Sequence, residues 1–283
     1  RNNEKIKETE EIVNYIKAAN YAFQRLTELP LCMRLIKETH AVLLANVRGD
    51  EKAPGEFRKS QNWIGPAGCM LNNASFVPPA PDEMNDALND LEKYMYEDGL
   101  ISALIKIALI HYQFETIHPF LDGNGRLGRL IIVLFLIEKK KLSKPVLYLS
   151  DYFAKNRIQY YDALDAVRIH DDIERWVKFF LVAVSETAKR SCETLQKIID
   201  LKTENDQKIL SLGKRAQSAS KLLDTMYGSP IMDSKKASAA INLSPTAINA
   251  LLNGLVDLGI LKEITGFSRN RLYQYTDYME LFR

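Results

Sequence analysis

The sequence has few of the residues that build covalent or metal-bound frameworks. It contains 3 cysteines and 4 histidines among 283 residues, and Cys32, Cys69 and Cys192 lie far apart. An odd and widely spaced set of cysteines argues against a disulfide framework or a zinc site, and is typical of a reducing cytoplasm. A histidine-rich metal centre is not expected either. We therefore expect a cytoplasmic protein.

The chain also lacks a strong charge of either sign and a long apolar run. The 38 Lys and Arg nearly cancel the 36 Asp and Glu, so the net charge of +2 predicts no general attraction to nucleic acid or to an anionic membrane. The apolar stretch 130–137 is shorter than the about 20 residues of a membrane span, and we expect no membrane partner. The chain opens on Arg1 rather than Met, and we expect an upstream piece to be missing.

Hydrophobic periodicity predicts a mainly α-helical protein of two domains. Apolar residues at helical spacing predict helices over 4–28, after Pro30, and from 82 to about 196. Residues 55–81 are rich in Gly and Pro and predict an ordered loop with short extended segments. The change of pattern along the chain predicts three parts, which are a helical domain over 1–200, a linker or connecting helix over 201–212, and a second domain over 213–283.

The residues most suited to chemistry lie in one loop between two apolar helices. Gly123 and Gly125 bracket Asn124 at the start of the second helix, where free backbone N–H groups and the helix dipole attract anions. Arg126 and Arg129 share one face of that helix. Two guanidinium groups beside such an amide nest favour a polyphosphate over a lone carboxylate.

Two further side chains in this loop suggest a reaction. Asp122 would repel phosphate unless a cation such as Mg²⁺ lay between them. His118 is the nearby group whose ordinary pKa suits proton uptake near neutral pH. Together these residues predict transfer of part of a nucleoside triphosphate to a hydroxyl. The alternative is a structural histidine beside an ordinary glycine turn.

The motif at 118–129, His-Pro-Phe-Leu-Asp-Gly-Asn-Gly-Arg-Leu-Gly-Arg, resembles the signature of Fic domain proteins at every fixed position. The likeness extends over about residues 10–200 and includes Gly-Glu-Phe-Arg at 55–58. It implies a helical Fic fold with a short β-hairpin flap. It also implies an adenylyltransferase that moves AMP from ATP to a Ser, Thr or Tyr hydroxyl of a protein and releases pyrophosphate. Removal of AMP, or transfer of another phosphate-linked group, is the alternative chemistry.

The resemblance also implies site residues and partners. His118 would be the base and Asp122 would hold Mg²⁺. The residues implied for ATP and phosphate are Gly123, Asn124, Gly125, Arg126, Leu127, Gly128, Arg129 and Tyr160, although a core position explains Tyr160 equally well. The loop 58–79 resembles the flap that pairs with an extended target segment. Its expected tip is Trp63, Ile64 and Gly65. A homodimer, and modification of the protein by itself, are further expectations.

Many members of this family carry an inhibitory Glu in the pattern (Ser or Thr)-x-x-x-Glu-(Gly or Asn). In this chain only Glu204 precedes Gly or Asn, and position 200 is Asp, so the pattern is absent from the sequence. We expect the inhibitory helix upstream of Arg1.

Residues 234–259 carry a helix-turn-helix pattern, with Ser244 as N-cap and Pro245 in the first helical position. Alternating residues over 260–275 predict two strands about a wing, and the whole resembles a winged-helix domain. Residues 206–283 hold a weak basic surplus. Two roles remain open, namely docking of proteins and DNA binding by a regulator with a nucleotide-sensing Fic core. The candidate DNA contacts are Thr246, Asn249, Arg269 and Arg271.

Overall fold

The computed structural model describes residues 2–46, 51–66, 68–97 and 99–282. The chain divides into two compact units, and the boundary falls between Ala188 and Lys189. This boundary lies inside one long helix and before the domain end predicted at residue 200. The stretch 201–212, predicted as a linker or connecting helix, is helical.

Helices build the first unit. They are α1 (Asn2–Arg25), α2 (Met33–Leu44), α3 (Pro81–Tyr96), α4 (Ala103–Ile117), α5 (Asn124–Glu138), α6 (Leu149–Lys155), α7 (Arg157–His170) and the first part of α8 (Ile173–Ile209). A short 3-10 helix, Leu71–Asn73, lies between α2 and α3. The mainly helical prediction for this unit is therefore confirmed.

The centre of the first unit is α5, which buries residues on all its faces. A helix that is apolar all round belongs in the interior of a domain, and α1, α2 and α4 pack against it. Several polar side chains share this interior with the apolar ones. Of these, His40, Arg58, His111, Glu115 and Asn124 are buried near the two ends of the loop that joins α4 to α5.

The second unit combines helices with a small antiparallel sheet. Its elements are the end of α8, a 3-10 helix (Leu210–Arg215), α9 (Ala216–Met226), β1 (Ile231–Asp233), α10 (Ser234–Ile241), α11 (Pro245–Asp257), β2 (Lys262–Glu263), β3 (Leu272–Gln274) and α12 (Thr276–Glu280). The strand order is β1-β3-β2, with Met232 opposite Tyr273 and Lys262 opposite Gln274. The predicted caps of α11 are observed, since the Ser244 hydroxyl accepts from the Ala247 N–H and Pro245 begins the helix.

Across the described residues, no single helix combines the length and hydropathy of a membrane span. The short helices α10 and α11 meet those criteria only when taken together, and they are bent by 108° at the turn between them.

Candidate active site

His118 ends α4 in an unusual backbone conformation. Its φ of 48° and ψ of 61° are left-handed, and its N–H donates to the Phe114 carbonyl at 3.0 Å. Residues other than glycine adopt this conformation uncommonly, although Asn, Asp and His do so more often than the rest, and strained positions of this kind concentrate at functional sites. The left-handed turn stops the helix and leads the chain directly into the loop.

The imidazole of His118 is held in its neutral form. The pKa of His118 is lowered to about 4, mainly by burial. A hydrogen bond to the Glu115 carbonyl raises this pKa, whereas the positive charges of Arg58 and Arg168 lower it further. Near neutral pH the ring is therefore unprotonated and available to take up a proton. The base is weaker than a free histidine, because its conjugate acid is more acidic.

Asn124 closes the loop that follows His118. Its side-chain oxygen accepts from the Phe120 N–H at 2.9 Å, and its amide nitrogen donates to the Phe120 carbonyl at 2.7 Å. The side chain of Asn124 is thus committed to the loop itself, so any anion contact by this residue must come from its backbone. Gly123 precedes α5 with a φ of 78°, which glycine adopts without strain.

His40 of α2 packs against the same loop. Its ring stacks on Phe120 with centroids 3.8 Å apart, and its Nε2 lies 3.0 Å from the Asp122 carbonyl. Its Nδ1 accepts from the Gly55 N–H, so Nε2 carries the proton and donates to Asp122. His40 carries no functional signal in the sequence, because no local pattern connects it to Asp122, which lies 82 residues away.

The start of α5 offers backbone N–H groups to a ligand. The first bond of the helix runs from the Leu127 N–H to the Gly123 carbonyl, so the N–H groups of Asn124, Gly125 and Arg126 have no acceptor within the helix. A Cβ on Gly125 would lie 3.1 Å from Nη1 of Arg129. The absence of that Cβ leaves room for the guanidinium beside the free N–H groups.

Each motif arginine has a partner from outside the motif. Nη1 of Arg126 lies 3.6 Å from Glu11 of α1, and its Nη2 lies 3.5 Å from Asp122. Nε of Arg129 donates to the Ser150 hydroxyl at 3.0 Å. Neither Glu11 nor Ser150 carries a recognisable sequence signal, because both are brought here only by helix packing.

Asp122 is the one carboxylate of the motif. Its surroundings suit a cation that is bound jointly by this carboxylate and by a ligand, rather than one enclosed by protein groups alone. Its Oδ1 accepts from the Gly123 N–H, and its side chain is 36% exposed. No cluster of three or more His, Cys, Asp or Glu within the described ranges could hold a metal by itself. Mg²⁺ fits such a site, because it commonly binds through one or two carboxylates together with water and substrate phosphates.

Leu127 and Gly128 face the interior rather than the loop. Leu127 is fully buried, and the Gly128 carbonyl lies 3.1 Å from Nδ1 of His111. A Cβ on Gly128 would meet the Glu115 carboxyl group, so this glycine permits close packing of α4 and α5. A phosphate contact through either residue stays a prediction, whereas the packing is observed.

Tyr160 lies in the core of the first unit. It is 8% exposed, its hydroxyl bonds to Nε2 of His111 at 3.0 Å, and its ring packs against Phe153 at 4.8 Å. Of the two interpretations that the sequence left open, the structure favours the core position over a nucleoside contact. Burial also lowers the pKa of His111 to about 3 and raises the pKa of Glu115 to about 7.

The flap differs from the predicted β-hairpin. Within 58–79, where all residues but 67 are described, the extended pairing is a single antiparallel bridge between Ile64 and Phe76. The N–H and carbonyl of Ile64 both bond to Phe76, so Ile64 belongs to the internal pairing of the flap. Because the backbone groups of alternate residues point to opposite edges, Trp63 and Gly65 face outward. Trp63 is 41% exposed, and its indole N–H donates to the Cys69 carbonyl.

The candidate DNA contacts of the second unit are at its surface. Thr246 and Asn249 are exposed on α11, opposite the buried residues Ile248 and Leu252. Arg269 and Arg271 are exposed in the segment between β2 and β3. Nε of Arg271 donates to the Phe267 carbonyl, so part of this guanidinium supports the local turn.

Comparison with known proteins identifies the segment that carries this geometry. Residues 30–136 match the Fic/DOC family. The matched Fic segment includes α2, the flap, α3, α4, the loop and nearly all of α5.

Two of the curated relatives are named protein adenylyltransferase Fic. The protein from Aedes aegypti is 29% identical over 159 residues, which are 56% of this chain and 28% of that protein. The protein from Drosophila grimshawi is 28% identical over 185 residues, which are 64% of this chain and 35% of that protein. The chain therefore spans about a third of the length of these relatives.

A solved structure extends the likeness in fold to both units. The crystal structure of a Fic family protein from Desulfovibrio desulfuricans aligns with a TM-score of 0.57 at 21% identity. The alignment covers 95% of this chain and 75% of that chain. At this identity the likeness shows the fold of the Fic segment and its neighbours, and the activity must be argued from the site.

Proposed function

We propose that this protein is an adenylyltransferase that transfers AMP from ATP to a Ser, Thr or Tyr hydroxyl of a protein. The observation that carries the proposal is the placement of His118, which is partly buried and neutral near pH 7, at one end of a six-residue turn whose other end is the open N-terminus of α5 with its two arginines. This geometry supports a base and a polyphosphate site on the same short loop. Adenylyltransferase relatives support the choice of ATP and a protein as substrates.

The reaction is a displacement at the α-phosphorus of ATP. The target oxygen forms a bond to this phosphorus, the bond from the phosphorus to the bridging oxygen breaks, and pyrophosphate leaves. The hydroxyl proton passes to the imidazole of His118, which is neutral because burial holds its pKa at about 4. Donors that are already aligned need no reorganisation as negative charge moves onto the leaving group.

Backbone and side-chain groups of the loop and of α5 bind different parts of the polyphosphate and its cation. The free N–H groups of Asn124, Gly125 and Arg126 bind phosphate oxygens, and the guanidinium groups of Arg126 and Arg129 neutralise the polyphosphate. Phosphate must displace Glu11 from Arg126, because both compete for the same guanidinium. Asp122 would hold Mg²⁺, which supplies charge neutralisation of the phosphates when bound.

The flap receives the target segment through its main chain. The outward edge at Trp63 and Gly65 pairs with an extended peptide, and such pairing accepts many sequences because it uses backbone groups. The Ile64–Phe76 bridge keeps this edge extended. The flap is also held by a cation–π contact, in which the Arg168 guanidinium of α7 lies over the Phe76 ring at 3.6 Å from its centroid.

The test is mass spectrometry of the protein, and of a lysate, after incubation with ATP and Mg²⁺. We expect a protein side chain to gain an adenylyl group, and His118→Ala to abolish this gain. His170→Ala is the matched control, because His170 is exposed at the end of α7. Equal labelling by the wild type and His118→Ala would overturn the assignment. A different added mass would instead indicate another phosphate-linked group, and loss of AMP from a modified protein would indicate the reverse reaction.

We also propose that the second unit is a winged-helix domain. Its capped α11, the 108° bend between α10 and α11, and the β1-β3-β2 sheet support this arrangement. The exposed polar residues Thr246 and Asn249 favour a test of DNA binding. Fluorescence anisotropy with duplex DNA should show binding that weakens in the Arg269→Ala, Arg271→Ala double variant. Equal anisotropy in the two proteins would exclude this role for the wing.

A further inference from the structure

One buried guanidinium joins the base of the flap to the end of α4. Arg58 is 2% exposed, and its side chain donates to four carbonyl oxygens, those of Ser60, Pro79, Ile117 and His118. The first two belong to the two ends of the flap, and the last two belong to the end of α4. The backbone N–H of Arg58 adds a bond to the Pro119 carbonyl at 2.9 Å.

A neighbouring amide makes the same connection. The side-chain nitrogen of Asn62 donates to the His118 carbonyl at 3.2 Å and to the Phe120 carbonyl at 3.0 Å. Gln61, between these two residues of the flap, donates across it to the Pro78 carbonyl at 2.8 Å. We call Arg58 and Asn62 together the flap clamp.

Three of the carbonyls that accept from the flap clamp, those of Ile117, His118 and Phe120, lie at the end of α4 and the start of the loop. The last carbonyls of a helix have no partners within it, and a cation at that end is favoured by the helix dipole. The left-handed conformation of His118 costs free energy and persists only when its surroundings hold it. The flap clamp supplies such restraint, because both of its members bind the carbonyl of His118 itself.

We propose that Arg58 and Asn62 are positioning residues that couple the flap to the backbone of His118. Neither is a catalytic residue, since they act on His118 through its carbonyl. The proposal rests on the proposed function for its kinetic consequence. When the flap pairs with its target, its lower end is bonded to the carbonyl of His118, the residue that carries the proton-accepting imidazole. The position of the target and the position of the imidazole are therefore set together.

A conformational measurement tests the coupling without any activity. The protein has 4 histidines, so selective ¹³C labelling of histidine yields few signals, and His118→Ala assigns the one of interest. In Asn62→Ala and Arg58→Lys, we expect the Cα and Cβ shifts of His118 to move away from left-handed values or to split into two sets. The signals of His170, which is exposed on α7, should not move.

A destabilised control variant separates a specific effect on the His118 backbone from a general loss of stability. Leu88 of α3 is buried, and Leu88→Ala should lower the melting temperature while leaving the His118 shifts unchanged. If Arg58→Lys does not fold, Asn62→Ala alone decides, because Asn62 is only partly buried. Unchanged His118 shifts in the folded flap-clamp variants, or the same change in Leu88→Ala, would overturn the proposal.

The kinetic measurement uses the 283-residue protein with ATP, Mg²⁺ and a target protein that it modifies. In Asn62→Ala we expect kcat to fall by about tenfold or more, while the Kd for ATP stays within about twofold. The hydrogen bonds described for the flap clamp go to carbonyls of the flap, the end of α4 and the loop, and not to the N–H groups that start α5. A loss of ATP affinity equal to the loss of kcat would contradict the proposed role. If wild-type protein transfers nothing, the proposed function fails, and the histidine shifts still decide the coupling.

Discussion

At the scale of single residues, three shielded histidines contribute to how the stability of the first unit responds to acid. His111 is fully buried between Gly128 and Tyr160, and His118 and His40 are also shielded. Burial lowers the pKa of each below its ordinary value. Protonation of any of them therefore costs more in the folded chain than in the unfolded chain.

For His111 the sign of the pH dependence follows directly. Its pKa is about 3 when folded and 6.5 in its ordinary state, so stability is complete above about 6.5 and is lost as the pH falls toward 3. One such group changes the free energy of unfolding by up to about 1.4 kcal/mol per pH unit. We expect His111→Gln, which keeps hydrogen-bonding groups but does not titrate, to reduce the slope of stability against pH between about 6 and 4.

Urea denaturation at a series of pH values measures this slope. His170→Gln is the control, since His170 is exposed and should leave the slope at its wild-type value. A slope in His111→Gln that equals that of the wild type would show that His111 does not titrate on unfolding as described.

The contact between Glu11 and Arg126 makes a second prediction at this scale. Glu11 lies 3.6 Å from Arg126, where it opposes a phosphate electrostatically. Because a partly exposed ion pair contributes at most about 1 kcal/mol, Glu11→Gln should tighten ATP binding by up to about fivefold. Calorimetry at low salt measures the Kd, with Glu10→Gln on the same helix as control, as Glu10 is exposed. Weaker binding in Glu11→Gln would mean that this carboxylate supports the site.

At the scale of elements, the site depends on how closely α4 and α5 approach. Gly128 lies at their contact, and a Cβ there would meet the Glu115 carboxyl group, Cδ1 of Phe114 at 3.2 Å and Cε1 of His111 at 3.3 Å. These neighbours are themselves buried, so they have little room to move. The position of the N–H groups at the start of α5 therefore depends on Gly128, which lets α5 pack closely against α4.

Gly128→Ala should lower the free energy of unfolding by about 1–3 kcal/mol through overpacking. Gly99→Ala is the matched control, since a Cβ at Gly99 meets nothing within 4 Å. Its effect should stay within about 0.5 kcal/mol. Urea denaturation of the two variants and the wild type measures both values. A Gly128→Ala protein as stable as Gly99→Ala would show that the helix contact is looser than the structure indicates.

At the scale of the whole molecule, each unit has a hydrophobic core of its own. Ile131 is fully buried in the first core, and Leu252 is fully buried in the second. The helix α8 contributes Trp176 and Phe180 to the first core and Ile209 to the second. The boundary between the units therefore falls inside a helix, before the stretch 201–212 that the sequence predicts as a linker or connecting helix.

Separate cores predict separate responses to core mutations. Leu252→Ala should destabilise residues 189–283 by about 2–5 kcal/mol and leave hydrogen exchange in α4 and α5 unchanged. Ile131→Ala should produce the reverse pattern. Hydrogen exchange followed by mass spectrometry reads both units in one experiment. Faster exchange of both units in either variant would show that they unfold as one.

Much of the architecture follows from local sequence. The caps Ser244 and Pro245, the apolar spacing of α1 and α2, and the change of pattern at Gly55 are set by residues close together in the chain. The motif at 118–129 is a candidate phosphate site for the same reason, because its backbone amides, glycines and arginines all lie at the start of one helix.

Only the tertiary structure decided which groups face these residues. The lowered pKa of His118 arises from burial by the surrounding helices, and His40, Glu11, Ser150 and Arg58 reach the loop from other elements. The sequence left Tyr160 between ligand and core, and the family resemblance implied a short β-hairpin where one bridge forms. These outcomes depend on contacts between residues far apart in the chain, whereas helix formation and capping depend on neighbours within about one or two turns.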